Sequence, residues 1–309
     1  HLPNGRKYYE LTVASETGSS RTIPELQQLT QGQMFTDLTA MQKILSPTAE
    51  GASVSSDLFK TQGTLLENPD PAAILAELEN KLADNFPKPP KVNTEIKYVQ
   101  KSMEEYLSPA FYMIPAIDNS ADNVIYINKG HLPDDLSLFT TLAHEGYPGH
   151  LYQTTYYASK KPDPIRNLLN YGGYVEGWAT YSEMMSYYYA PVSKEQATLM
   201  QKNTSVILGL YALADMGIHY EGWTLLDAVS FFRSYGITDT DTIEKIYDLI
   251  IADPANYLKY YIGYVEFLEM KKEALDMWGD DFSQEKFHKA VLDVGPAPFD
   301  LVRDYALKK

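Results

Sequence analysis

Cysteine is absent from the 309 residues, which excludes disulfides, thiolate nucleophiles and Cys-ligated zinc or iron–sulfur centres. Such an absence fits an intracellular protein or an exported bacterial protein that avoids stray disulfides. Of the two, export or the cell surface is the expectation. Long apolar runs are also lacking. The longest, around Val206 to Ala214, falls far short of the roughly 18 residues that a membrane span needs. Basic residues are few: 26 Lys and Arg stand against 41 Asp and Glu, a formal net charge of −15. A field of that sign repels phosphate backbones, and no basic stripe offsets it, so nucleic acid is not an expected partner. The opening HLPNGRKYYE has no initiator methionine and no leader pattern, and reads as the start of the C-terminal part of a longer chain.

What remains is ample for a core. At this length a folded chain buries about three quarters of its unfolded surface. Hydrophobic residues at 44% against 22% charged exclude intrinsic disorder. The pattern predicts a mainly α protein with a small β-sheet, in one domain over 1–309. Residues 1–130 carry helices and the sheet, and 131–309 a helical core.

Thr22-Ile23-Pro24-Glu25 reads as a capped helix start, with the helix running to about Leu45. Residues 47–71, rich in Ser, Gly, Pro and Asp, read as an exposed connection. Asp70-Pro71 opens a second helix to about Phe86, and Pro87 to Pro90 end it. Ile96 to Val99 and Val124 to Asn128 are β-rich, separated by a stretch containing Tyr and Pro. From Pro133 onward the pattern is helix after helix. Breaks are expected at Pro162/Pro164, Gly172-Gly173, Pro191, Gly222, Gly236 and Pro254.

The most informative segment is Thr141-Leu-Ala-His-Glu-Gly-Tyr-Pro-Gly-His150. A His followed by Glu in an apolar helix, with another His close behind, is the layout of a zinc hydrolase. Imidazoles hold the metal and the carboxylate serves as general base. The usual HExxH spacing puts both His on one helix face. An interval of six turns the second by about 240°, onto the wrong face. Pro148-Gly149 offers a remedy: Pro interrupts the ladder, Gly accepts unusual dihedrals, and a looped-out pair brings His150 back beneath His144. The plainer reading is two unrelated histidines in a kinked core helix.

A second segment favours the metal. Tyr174-Val-Glu-Gly-Trp-Ala-Thr-Tyr-Ser-Glu183 begins shortly beyond His150 with helical periodicity. Glu176 and Glu183 are seven apart and share a face, so one can ligate while the other supports a ligand. Acids on a helix are ordinarily solvated. These sit among Tyr, Val, Trp, Ala and Met, which argues for buried acids with partners.

HEGYPGH followed by VEGWATYSE resembles the bacterial domain-of-unknown-function family 885, read as zinc metallopeptidases of the gluzincin type. The likeness extends along nearly the whole chain, through NGRKYYE, IPAIDNSADNVIYIN, DMGIHYEGW, PANYLKYYIG and VLDVGPAPFDLV. It implies a zincin-like helical catalytic domain with its active site between helices, and a longer N-terminus in relatives. It further implies His144, His150 and Glu176 as zinc ligands and Glu145 as base. EGWA resembles the glutamate-ligand segment NEGFA of gluzincin aminopeptidases, which favours Glu176 over Glu183. Many relatives carry two His after PG, whereas this chain has His150-Leu151. Asn256 and Lys259 stand where relatives often have Gln and Ala, a departure in the substrate pocket.

Two further residues complete the expected chemistry. His219 follows Asp215 by four on a helix, so the carboxylate can orient the imidazole toward a substrate carbonyl; an internal core pair is the alternative. Tyr260 lies in the run Tyr257, Tyr260, Tyr261 and Tyr264, and gluzincins commonly use a Tyr hydroxyl at the oxyanion. His1, His131 and His288 lack a supporting pattern and read as surface residues. The expectation is therefore a zinc peptidase acting on peptides. A peptide-binding protein without turnover and a metal-dependent amidase or esterase are the alternatives.

Overall fold

The chain opens with two helices, α1 (Gly5–Thr17) and α2 (Ile23–Leu45). In this computed structural model residues 4–46, 70–133 and 135–308 are described. Thr22 caps α2 as its sequence predicts: Glu25 Oε2 accepts from the Thr22 amide at 2.8 Å and from its hydroxyl at 2.7 Å. No helix is expected from periodicity over α1, because its apolar stripe is narrow; only Tyr9, Val13 and Thr17 are buried there.

Asp70 caps α3 (Pro71–Asn80), its side chain accepting from the Ala73 amide at 3.1 Å. The helix gives way to a 3₁₀ turn over Lys81–Asp84, earlier than the predicted end near Phe86. The predicted connection over 47–71 lies outside the described residues from 47 to 69.

Three strands follow, β1 (Asn93–Tyr98), β2 (Ala110–Met113) and β3 (Asp122–Ile127), in the order β1-β3-β2. β1 runs parallel and β2 antiparallel to β3, so β2 is an edge. The sequence predicts only β1 and the central strand β3. Four residues set between Pro109 and Pro115 are too few to show a period-2 pattern. Ala110, Tyr112, Ile125 and Ile127 are buried on the inner face, and Tyr112 donates its hydroxyl to Asn123 Oδ1 at 2.6 Å.

The helical part comprises α4 (Asp135–Glu145), α5 (His150–Ser159), α6 (Gly172–Ser186), α7 (Lys194–Met216) and α8 (Leu225–Ser234). Then come α9 (Thr240–Ala252), α10 (Asn256–Trp278), α11 (Gln284–Val294) and α12 (Phe299–Leu307). The predicted breaks fall between these helices, except that Gly172-Gly173 starts α6. Helix α2 lies along α7, and α6 along α10.

Helices α6 and α10 meet backbone to backbone. A Cβ on Gly177 would stand 2.4 Å from the Gly263 carbonyl carbon, and one on Gly263 would stand 2.0 Å from the Gly173 oxygen. Only hydrogen at these positions permits the approach.

His288 corrects an expectation. It is fully buried, not on the surface, hydrogen bonded to the Asn85 carbonyl at 2.6 Å and to the Tyr181 hydroxyl at 2.9 Å. It stacks on Phe86 with ring centres 4.2 Å apart. Its helix α11 is strongly amphipathic, and position 288 falls on the apolar side beside Phe287. Burial pushes its pKa down to about 3. His131 is exposed as expected, and His1 lies outside the described residues.

Candidate metal centre

The two histidines of HEGYPGH sit on separate helices. α4 stops at Glu145, residues 146–149 turn, and α5 starts at His150. The turn is bonded at both ends: the Gly149 amide reaches the Ala143 carbonyl at 2.9 Å, and the Tyr152 amide reaches the Gly146 carbonyl at 3.1 Å. A Cβ on Gly149 would lie 1.8 Å from the His144 carbonyl oxygen, so this position needs glycine. The buried Trp178 of α6 donates Nε1–H to the Pro148 carbonyl at 2.8 Å, tying the turn to the next helix. The result agrees with the predicted return of His150, whose ring centre lies 4.8 Å from that of His144. The interruption is a four-residue break between helices, wider than the looped-out pair expected.

Glu176 enters from α6 against both rings. Its Oε2 lies 3.2 Å from His150 Nε2 and 3.6 Å from His144 Nε2. One donor atom from each of His144, His150 and Glu176 falls within 4.8 Å of the others, the arrangement that one cation can bridge. Seven residues along the same helix, Glu183 Oε2 accepts from His144 Nδ1 at 3.0 Å. That bond holds the ring and directs Nε2 toward Glu176. The donor set, two imidazoles and a carboxylate with a further carboxylate behind one ring, fits zinc.

The electrostatics follow from these contacts. Burial acts to lower the His144 pKa, but hydrogen bonds to Glu176 and Glu183 overcome it and raise it well above the ordinary range. Burial likewise acts to raise Glu176, and the two imidazoles hold it well below the usual carboxylate range.

These groups open into a pocket of about 430 Å³, which Glu145, Glu183, Phe111, Tyr112 and Tyr260 also line. Glu145 Oε2 accepts from the Tyr112 amide at 2.8 Å, so edge strand β2 orients this carboxylate. Sequence reasoning missed that contact; the only signal was the short apolar run AFYM ahead of Pro115. Tyr260 stands over His144, with ring centres 6.2 Å apart and planes 25° apart. Burial, with Glu176 and Glu145 nearby, raises its pKa far above the usual range, so the phenol keeps its proton.

Asp215 and His219 do not pair. After Met216 the helix widens into a π turn over Gly217–Glu221, which breaks the i, i+4 register that the pairing requires. Asp215 instead accepts from the Tyr9 hydroxyl and from the Ala255 amide at 3.0 Å. His219 Nε2 bonds the Ile250 carbonyl at 2.9 Å, and its ring stacks on Tyr9. Neither lines the metal pocket. Burial raises Asp215 to about 7.

The family model of bacterial proteins of unknown function, DUF885, matches residues 1–305. The chain belongs to the DUF885 family. Solved structures that share the fold of this DUF885 chain include two bacterial proteins. One is a "putative lipoprotein" from Colwellia psychrerythraea, with TM-score 0.80 and 23% identity over 99% of this chain and 55% of that one. The other is a "putative lipoprotein of unknown function" from Shewanella oneidensis, with TM-score 0.72 and 21% identity over 96% of this chain and 59% of that one. The DUF885 chain thus spans less than three fifths of either. No curated protein matches it. Among its described residues no helix is long and apolar enough to cross a membrane.

Proposed function

We propose that this DUF885 chain is a zinc-dependent peptidase of gluzincin type on a zincin-like helical fold. The observation that carries the reading is the convergence of His144, His150 and Glu176 within 4.8 Å, with Glu145 facing the same pocket. Bound there, zinc would polarise a scissile carbonyl and bring the pKa of a coordinated water to about 7.

The chain's own groups have separate tasks. His144, His150 and Glu176 would hold the metal, and Glu183 fixes the tautomer of His144 through its Nδ1–H. Glu145 takes the proton of the attacking water and delivers it to the departing amine nitrogen. The Tyr112 amide, bonded to Oε2, holds the plane of that carboxylate. Tyr260, whose pKa burial and the neighbouring carboxylates raise, donates its O–H to the carbonyl oxygen as charge develops there. Peptide substrate can lie along β2, where residues 110 and 112 turn their backbone groups away from β3. Similarity to proteins named as lipoproteins supports an exported or surface-associated location.

The test is Glu145→Gln, with zinc content, peptide binding and cleavage measured on one preparation. Gln has nearly the same shape but cannot accept the proton, so zinc and binding should persist while turnover falls by about 100-fold or more. Unchanged cleavage removes Glu145 as base. No cleavage by the parent across a broad peptide library favours a binding protein, or an amidase or esterase with a small substrate.

A further inference from the structure

Phe111 borders two cavities. It lines the metal pocket, and it also forms the near wall of a second groove, of about 490 Å³, on the open face of the sheet. Ala110 and Tyr112 point inward from β2, so Phe111 between them points outward. The register sets Tyr126 opposite Phe111 and Lys97 opposite Tyr126, making one row across the three strands. The Phe111 and Tyr126 rings lie nearly parallel, 12° apart, with centres 5.2 Å apart. Tyr98 and Met103 on the far side are 45% and 46% exposed, so large apolar surface lies open beside the pocket.

The groove's chemistry selects its occupant. Lys97 is the one charged residue among the groove's described lining and is paired with Glu95 at 3.1 Å. Lys129 Nζ sits 3.8 Å above the Tyr98 ring and covers that end. No carboxylate lines the groove among the described residues, so it offers a cationic side chain no ion pair, and the ring face of Tyr98 is already taken by Lys129. The metal pocket selects too. Its described lining has no Lys or Arg to hold a C-terminal carboxylate. Its carboxylates, Glu145, Glu176 and Glu183, each already hold a partner on Oε2, the Tyr112 amide for the first and the histidine rings for the other two.

We propose that the Phe111–Tyr126 platform is a specificity subsite that receives a large apolar side chain of an extended peptide, whose internal bond lies in the adjoining pocket. This rests on the peptidase reading above. It makes the protein an endopeptidase selecting an apolar residue near the cleavage point.

Octapeptides blocked at both ends, with one Phe moved along an otherwise Ser- and Gly-rich sequence, test it by fluorescence anisotropy on the zinc-loaded Glu145→Gln protein. At one position Phe should tighten binding about tenfold, as partial burial of an aromatic side chain predicts. Adding Phe111→Ser or Tyr126→Ser should erase most of that gain, and Tyr126→Ser, which lies outside the metal pocket, should leave the all-polar peptide's affinity unchanged. The peptide series stands even where a platform variant misfolds. The unsubstituted protein should cut the blocked peptides at a fixed spacing from Phe, read by mass spectrometry. No Phe gain at any position, a gain that survives both substitutions, or cutting of free-ended peptides alone overturns the subsite and leaves the peptidase reading intact. No cutting of any peptide, blocked or free, brings down the peptidase reading and the subsite with it.

Discussion

Replacing Trp178 with Phe tests whether the turn before His150 is held from α6. The substitution removes the Nε1–H that the buried Pro148 carbonyl accepts at 2.8 Å. An unpaired buried carbonyl costs about 1–3 kcal/mol. The lost ring volume at a fully buried site adds roughly 1–2 kcal/mol. A total of about 2–5 kcal/mol at a few degrees per kcal/mol lowers Tm by about 5–15 °C. The distinctive effect is on the metal. Freed of its tether, the turn no longer fixes His150, and zinc affinity should fall about 10–100-fold, the range for an outer-sphere support. Tyr174→Phe is the control. Tyr174 is buried on the same helix and donates to the Val291 carbonyl at 2.9 Å, remote from the turn. It should lose stability with little change in zinc affinity. Competition against a chromophoric chelator, with thermal unfolding in parallel, separates the two. An equal loss of affinity in both variants would show a global effect and refute the tether.

Further outcomes can be checked on the same protein. Glu183→Gln should keep zinc but weaken it about 10–100-fold, because a neutral amide holds His144 Nδ1 less firmly; the chelator titration reads this. Gly263→Ala should cost about 2–4 kcal/mol, since its Cβ would lie 2.0 Å from the Gly173 oxygen, more than offsetting the roughly 1 kcal/mol gained in helix propensity. Urea denaturation would show it. Native His288, with its pKa near 3, refuses a proton that the unfolded chain accepts near 6.5. Its contribution to stability is therefore full above about pH 6.5 and declines on acidification, by up to about 2 kcal/mol at pH 5. His288→Gln should flatten the change in urea midpoint between pH 7 and 5; an unchanged slope refutes the assignment to His288.

Legibility varied with the range of the interactions involved. The caps at Thr22 and Asp70 were readable because each is made within three residues. HEGYPGH and EGWATYSE marked their own geometry, since Gly149 and the interval from Glu176 to Glu183 are local features. Strand β2 and its amide bond to Glu145 depend on pairing with β3, which four residues do not announce. The fate of Asp215 and His219 turned on a π turn that α-helical periodicity does not anticipate. His288 looked isolated because its partners, Asn85 and Tyr181, are more than one hundred positions away.

The glycine contact between α6 and α10 separates two properties on which selection acts. Glu176 adjoins Gly177, and Tyr260 lies one helical turn before Gly263. Their spacing is set where main chain meets main chain, not by the side chains filling the rest of the interior. Drift elsewhere in the core can then spend or restore folding margin without retuning the site. Substitutions elsewhere in the core should therefore move stability while leaving the spacing of Glu176 and Tyr260 in place, so long as Gly173, Gly177 and Gly263 keep their hydrogens.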